Sequence, residues 1–187
     1  MKRIVATSAL LLSSYAASAD PHTLLLQNLL ERTGLPALLE AEGNAVALAQ
    51  SGQGHLAQLN QSEGTQNRIA LAQEGSVQTA QISQQGDANT VHLVQGMSPH
   101  SSQNHATISQ SGSDNRVLAT QLGGNNVLSI DQHGTGNEAH ILQPGYGSDV
   151  QIIQNGSYNH TDVVSFGQTP ISIEQIGDHM QSWTMRF

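Results

Sequence analysis

Polar and apolar residues alternate along most of the chain in a unit of about eleven residues. Each unit ends on an inward slot that is nearly always glutamine. Apolar residues stand two and four places before it, and asparagine often stands six places before it. These four positions share one parity, so in a β-strand they point to the same face. The glutamines are Gln50, Gln61, Gln73, Gln84, Gln95, Gln110, Gln121, Gln132, Gln143, Gln154 and Gln175.

Glycine follows most of these glutamines after one intervening residue. Because glycine adopts a positive φ without steric cost, the pattern predicts one strand and one tight turn per unit. A helix is excluded, since a glycine in every unit would repeatedly weaken it. The predicted turn glycines are Gly52, Gly75, Gly86, Gly112, Gly123, Gly134, Gly145, Gly156 and Gly177.

A longer period of about 22 residues covers two units, because alternate units carry asparagine most strictly. Two strands that face each other across a shared interior would form one coil, and successive coils would stack about 4.8 Å apart. We therefore predict an all-β fold, a two-sided β-solenoid of about six coils. The asparagines are Asn44, Asn67, Asn89, Asn104, Asn115, Asn126, Asn137 and Asn159.

The inward glutamines and asparagines predict a structural ladder of side-chain amides. A buried amide without a partner costs about 1–3 kcal/mol. In a stack of coils, the side-chain carbonyl of one layer meets the N–H of the next, as in cross-β structures. Identical neighbours are needed for such a ladder, which explains why the glutamine slot is so strict.

The chain divides into four segments by its pattern. Residues 1–19 have a basic start, an apolar centre and a small-residue cleavage pattern, so we expect an export signal peptide. Residues 20–43 are leucine-rich and predict either a cap on the first coil or a transport and docking segment. The repeat array covers residues 44–177. Residues 178–187 form a degenerate terminal unit, with Met180 in the asparagine slot and Arg186 in the glutamine slot.

The composition argues against two classes of protein, those that bind nucleic acids and those that span a membrane. The chain has 14 acidic and 6 basic residues and no cysteine, and aromatic residues make up 3%. Nucleic-acid binding needs basic patches and stacking aromatics, so we expect none. No stretch after the signal peptide is apolar for long enough to span a bilayer, so we expect no transmembrane segment.

The sequence gives no sign of enzymatic or metal chemistry. The outward carboxylates are distributed over both sheets and several coils, and we interpret them as solvated charges: Asp131, Glu138, Asp149, Asp162 and Glu174. His92 and His140 share an outward slot but lie two coils apart, too far to ligate one metal ion. We therefore expect no catalytic residues, no metal site and no cofactor.

The segments Gln84–Gln95 and Gln132–Gln143 follow the pattern Q-x-G-x-x-N-x-A-x-[IVL]-x-Q closely. This pattern resembles the curlin repeat, and the resemblance extends over residues 44–177. It implies a secreted, extracellular fibre subunit of functional amyloid, as in the curli of bacterial biofilms and cell adhesion. It also implies passage through an outer-membrane secretion pore and partners that are copies of itself and other curlin-like subunits. Residues 20–43 depart from the family, whose transport segments are usually polar.

The degenerate terminal unit with Arg186 resembles the minor, nucleating subunit of this family, and we favour that interpretation. The regular array suits the major subunit equally well. A monomeric β-solenoid adhesin on the cell surface is the alternative from another functional class. It predicts a stable monomer, whereas a fibre subunit predicts growth that depends on concentration.

Overall fold

The computed structural model describes residues 43–96 and 101–187, which form thirteen β-strands. Most strands end at or just after the glutamine of their unit. The strands are β1 (Ala45–Gln53), β2 (Leu56–Ser62), β3 (Arg68–Ser76), β4 (Thr79–Asp87), β5 (Thr90–Gln95), β6 (His105–Ser113), β7 (Arg116–Gln121), β8 (Val127–Thr135), β9 (Glu138–Gln143), β10 (Asp149–Ser157), β11 (His160–Ser165), β12 (Ile171–Ile176) and β13 (Gln181–Arg186).

The strands alternate between two parallel sheets. The seven odd-numbered strands form one sheet, here called the odd sheet, and the six even-numbered strands form the even sheet. Strands two apart in sequence pair in register, so that Gln132 of β8 lies between Gln110 of β6 and Gln154 of β10. One odd and one even strand therefore make a coil. This confirms the predicted β-solenoid of about six coils and its 22-residue repeat.

The core lies between the two sheets and consists of the small and branched residues two and four places before each glutamine slot. Ile130, for example, lies between Ile108 and Ile152 in the stack and is almost fully buried. Burial of such residues is the main favourable term in folding. The buried cluster contains Ile69, Leu71, Ala80, Ile82, Val91, Leu93, Ala106, Ile108, Val117, Ala119, Leu128, Ile130, Ala139, Ile141, Val150, Ile152, Val163 and Ile171.

The two ends of the described solenoid expose apolar side chains. At the first coil Val46, Leu48 and Leu56 are 45%, 44% and 61% exposed. The equivalents of Val46 and Leu48 in the next coil, Ile69 and Leu71, are buried because another coil covers them, whereas Leu56 lies at an outward position that is exposed or half-buried in later coils as well. At the other end the inward Ile173 is only partly buried, while Ile176 and Trp183, 67% and 66% exposed, lie on the outward face. The interior coils are therefore closed by their neighbours, and the end coils are open within the described residues.

The predicted turn glycines fall into two groups. Gly52, Gly75, Gly86, Gly112, Gly134 and Gly156 lie inside strands, whereas Gly123, Gly145 and Gly177 follow the last residue of a strand. Gly134 has a φ of 117°, and a Cβ there would overlap the carbonyl oxygen of Gly156 in the next coil. Gly145 has no positive φ, but a Cβ would overlap the carbonyl oxygen of Phe166. Close stacking of the corners thus excludes a side chain at both positions.

A second left-handed position lies four residues after many of the glutamines, and the sequence pattern did not indicate it. Gly136 occupies it after Gln132, with a φ of 66°. In other coils it holds residues with a side chain, such as Val77 and Tyr158, at φ values of 53° and 57°. Such residues carry backbone strain, particularly the β-branched Val77.

The degenerate terminal unit continues the odd sheet as strand β13. Its residues pair with β11 in register, so that Ser182 lies against Thr161 and Arg186 against Ser165. The main-chain N–H of Met180 donates to Asn159 Oδ1 at 3.0 Å.

Several predicted segments lie outside the described residues. These are the signal peptide at residues 1–19, the leucine-rich segment at 20–43 apart from Gly43, and residues 97–100, where the spacing between glutamines predicts extra residues between two units. In the portion of the chain that the structure describes, no helix is long and apolar enough to cross a membrane.

Candidate functional site: the amide ladders

The glutamines form one row of hydrogen bonds in each sheet. In the odd sheet, the Nε2 atoms of Gln50, Gln73, Gln95 and Gln121 donate to the Oε1 atom of the next glutamine, ending at Gln143, over 2.6–3.0 Å. In the even sheet the row runs through Gln61, Gln84, Gln110, Gln132, Gln154 and Gln175, over 2.6–2.9 Å. Every bond points towards the C-terminal end of the solenoid.

Each interior glutamine also fixes the corner between the two sheets. The second Nε2 proton of Gln132 goes to the main-chain carbonyl of Arg116 at 3.2 Å, and that of Gln143 goes to Val127 at 2.8 Å. Gln132 is fully buried, and both its N–H groups and its carbonyl oxygen have partners. The rows therefore satisfy amides whose burial would otherwise be costly.

The asparagines form a different kind of row, because their side-chain oxygens accept main-chain N–H groups as well. Asn67 Oδ1 accepts both the main-chain N–H and the Nδ2 group of Asn89, at 3.0 and 3.2 Å. The same arrangement links Asn44, Asn67, Asn89, Asn115 and Asn137. The side-chain bonds of this row run towards the N-terminal end, opposite to the glutamine rows.

Asparagine side chains also hold the glycine corners. Asn115 Nδ2 donates to the carbonyl of Gly134 at 3.0 Å, and Asn137 Nδ2 donates to Gly156 at 2.9 Å. Asn104, Asn126 and Asn159 make the equivalent bonds to Gly123, Gly145 and Gly177, at 2.7–3.1 Å. The asparagine slot and the glycine slot are therefore one structural unit.

Substitutions in the two slots are compensated by neighbouring polar groups. Gln78 and Ser148 occupy the asparagine slot in the even sheet, and Gln78 Oε1 accepts the main-chain N–H of Asn104 at 3.1 Å. Where Ser165 replaces glutamine in the odd sheet, its hydroxyl accepts from Ser148, which in turn accepts from Gln143. Sequence reasoning did not include Gln78 and Ser148 among the ladder residues, although both lie at the right spacing.

Comparison with known proteins identifies the repeat. Residues 123–156 match the family model of the curlin associated repeat. This segment of the chain is a curlin-type repeat. The matched segment contains the curlin-repeat glutamines Gln132, Gln143 and Gln154, together with β8, β9 and most of β10. No curated protein and no solved structure shows significant similarity to the chain.

The outward face of the odd sheet carries a cluster that the sequence interpretation missed. Glu138 and His140 of β9 lie beside His160 and Asp162 of β11, and we call these four residues the His–carboxylate block. His140 has Glu138 and Asp162 within 3.0 and 3.1 Å, so its relevant neighbour is not His92. The interpretation of Glu138 and Asp162 as merely solvated charges is therefore wrong, because both contact two histidines. Their 22-residue offset from His160 and His140 was the available signal.

Contacts within the His–carboxylate block shift the pKa values of Glu138 and His140. The hydrogen bond with His140 lowers the pKa of Glu138 to about 2; partial burial opposes this, and the charges of His140, Arg116 and His160 reinforce it. Burial lowers the pKa of His140, but its hydrogen bond to Glu138 and the charges of Glu138 and Asp162 outweigh that effect, so the pKa lies above its usual value. His92 behaves in the opposite way: burial and the charge of Arg116 lower its pKa to about 4.

Proposed function

We propose that this protein is a structural subunit of an extracellular curli-type fibre, in which a further curlin-repeat subunit stacks on the open first coil and extends the amide rows that begin at Gln50 and Gln61. The observation that carries the proposal is the open first coil of a solenoid whose interior ladder glutamines are hydrogen-bonded to the neighbouring coils. Gln50 and Gln61 accept no amide from a preceding coil within the described residues, and apolar Val46 and Leu48 are exposed beside them. Open strand edges of this kind are templates for another chain.

The directions of the rows make such stacking polar. The first coil offers glutamine oxygens, and the parallel strands present opposite edges at the two ends. A further subunit on the first coil would therefore add head to tail, which gives an open filament rather than a closed dimer. The family resemblance supports partners that are copies of this chain or other curlin-repeat subunits, reached after export through an outer-membrane pore.

The terminal strand β13 supports the minor, nucleating subunit over the major one. It extends the odd sheet by a strand that has no counterpart in the even sheet among the described residues. Its inward positions hold Ser182, Thr184 and Arg186 instead of two apolar residues and a glutamine. A strand of this composition fits attachment to a different partner better than repeated stacking on identical copies.

The test is self-assembly of the purified full chain at neutral pH. We expect a lag phase followed by thioflavin-positive growth, removal of the lag by preformed fibres, and a meridional reflection at about 4.7–4.8 Å. A persistent monomer that gives no such reflection would overturn the proposal and favour the monomeric adhesin.

A further inference from the structure

The His–carboxylate block brings four metal-ligating side chains together on two neighbouring strands. The parallel register places Glu138 opposite His160 and His140 opposite Asp162. Within the part of the chain that the structure describes, ligand atoms of His140, His160 and Asp162 all lie within 4.8 Å of one another. The rigid ladder beneath the block fixes these spacings, so the site is built on sheet rather than on a loop.

The hydrogen bonds divide the imidazole nitrogens into two sets. His140 Nε2 and His160 Nδ1 contact the two carboxylate oxygens of Glu138, at 3.0 and 3.2 Å. His140 Nδ1 and His160 Nε2 contact the two oxygens of Asp162, at 3.1 and 3.0 Å. A neutral imidazole has one N–H and one lone pair. If both N–H groups point to Glu138, both lone pairs face Asp162.

We propose that His140 Nδ1, His160 Nε2 and the Asp162 carboxylate bind one divalent transition-metal ion of the Zn²⁺ class, with Glu138 orienting both imidazoles. Metal–nitrogen and metal–oxygen bonds of about 2.0–2.2 Å place neighbouring tetrahedral ligands about 3.3–3.5 Å apart. The observed nitrogen–oxygen separations of 3.0 and 3.1 Å need to widen only slightly. A carboxylate behind each ligating histidine is the usual outer arrangement of such sites.

Charge and surroundings favour a cation in this position. The two carboxylates of the block carry two negative charges when the imidazoles are neutral, which matches a divalent ion. Arg116 lies 3.8 Å from Glu138, on the side away from His160, and helps to keep that carboxylate ionised. Imidazole and carboxylate ligands together suit Zn²⁺, Cu²⁺ and Ni²⁺ better than Ca²⁺ or Mg²⁺. This site departs from the sequence-based expectation that the chain holds no metal.

The test is binding of Zn²⁺ alone to the tag-free full chain, by competition with a chromophoric chelator at about pH 8, above the reference histidine pKa. We expect one ion per chain, and we expect Co²⁺ to give the intense visible absorption of a tetrahedral site. His160→Asn and Asp162→Asn should each weaken binding at least about 100-fold, since each removes one of three ligands. Glu138→Gln should weaken it about 10–100-fold, as outer-sphere partners do.

The matched control is His133→Asn. His133 contacts Asp131 at 3.0 Å on the even sheet, but this pair has no third ligand in the described residues. Binding in this variant should equal that of the unchanged chain. The proposal is overturned if the unchanged chain binds no stoichiometric Zn²⁺, or if His133→Asn and His160→Asn weaken binding equally. Circular dichroism checks that each variant folds, and if His160→Asn does not, Asp162→Asn decides. A negative result leaves the fibre proposal untouched, because assembly is measured separately.

Discussion

Replacement of Gln132 by alanine should stop or greatly slow fibre growth, whereas the same change at Gln151 should not. Gln132 is fully buried, accepts from Gln110 at 2.8 Å and donates to Gln154 at 2.6 Å and to the carbonyl of Arg116 at 3.2 Å. Gln151 lies three residues before Gln154 in sequence, on the opposite face of β10, and its side chain is exposed. Comparison of the two variants therefore separates the effect of the inward position from the effect of losing a glutamine.

The expected loss of stability follows from the groups that lose their hydrogen bonds to Gln132. Truncation of Gln132 leaves a donor of Gln110, the oxygen of Gln154 and a corner carbonyl without their bonds. At about 1–3 kcal/mol for each buried group left unsatisfied, the loss of stability is about 2–6 kcal/mol if one of the three finds water. An exposed substitution such as Gln151→Ala usually costs within about 0.5 kcal/mol. The expected difference is comparable to the whole stability of many small domains.

Two measurements check this prediction. Thioflavin lag times should be several-fold longer or unmeasurable for Gln132→Ala and unchanged for Gln151→Ala. Fibres that do form should dissolve at a lower denaturant concentration in the first variant only. Equal lag times together with equal dissolution midpoints would refute the ladder as the source of fibre stability, and with it the assignment of glutamine rows to assembly.

Three further predictions concern the corners, pH and the terminal strand. Gly134→Ala should lower the denaturant midpoint, because its Cβ would overlap the carbonyl of Gly156. Val77→Gly should raise the midpoint, because it relieves a left-handed φ of 53°, and this gain in stability is about 1 kcal/mol. Acidification from about pH 6.5 towards 4 should remove about 3 kcal/mol of stability at His92, because its folded pKa is about 4 and the unfolded chain binds the proton first. The raised pKa of His140 acts in the opposite direction. The His92 contribution is therefore measured as the difference between the pH profiles of the denaturant midpoint for the unchanged chain and for His92→Asn. Deletion of residues 178–187 should leave thioflavin-positive assembly intact but release the protein from the cell surface, and a truncated chain that stays cell-bound and fails to assemble would contradict this.

The fold was predictable because one residue type recurs at one parity. Glutamine on the same face as isoleucine cannot be a surface residue, and the 22-residue spacing requires two strands per coil. The insertions did not hide this pattern: the offset between Gln84 and Gln110 is 26 residues, yet both side chains keep the same hydrogen bond as pairs 22 apart. The backbone absorbs the extra residues outside the strands, so the register continues.

The details of the ladder could not be obtained from spacing alone. Asparagine and glutamine carry the same amide, but the shorter side chain of Asn67 reaches the main-chain N–H of Asn89, while Gln73 reaches only the next side chain and a corner carbonyl. At Ser165 the hydroxyl of Ser148 donates the bond that a glutamine would otherwise receive. The direction of a hydroxyl group depends on its rotation, and no pattern in the sequence predicts it. The His–carboxylate block, in contrast, was available from the 22-residue offset between Glu138 and His160 and between His140 and Asp162, once acids and histidines are compared together.

The unequal sheets limit how two copies can stack. With β13 in place, a second copy that sets its β1 on β13 leaves one strand position of the even sheet open between β12 and its β2. Without β13, both sheets would end flush at β11 and β12, and the next copy would continue both glutamine slots directly. The terminal strand therefore makes one end of the described solenoid a poor surface for identical copies, while the first coil keeps unpaired glutamine oxygens and exposed Val46 and Leu48. In the proposed nucleating role, other curlin-repeat subunits would add to the first coil and the protein would be attached through β13, which accords with the difference between these two ends.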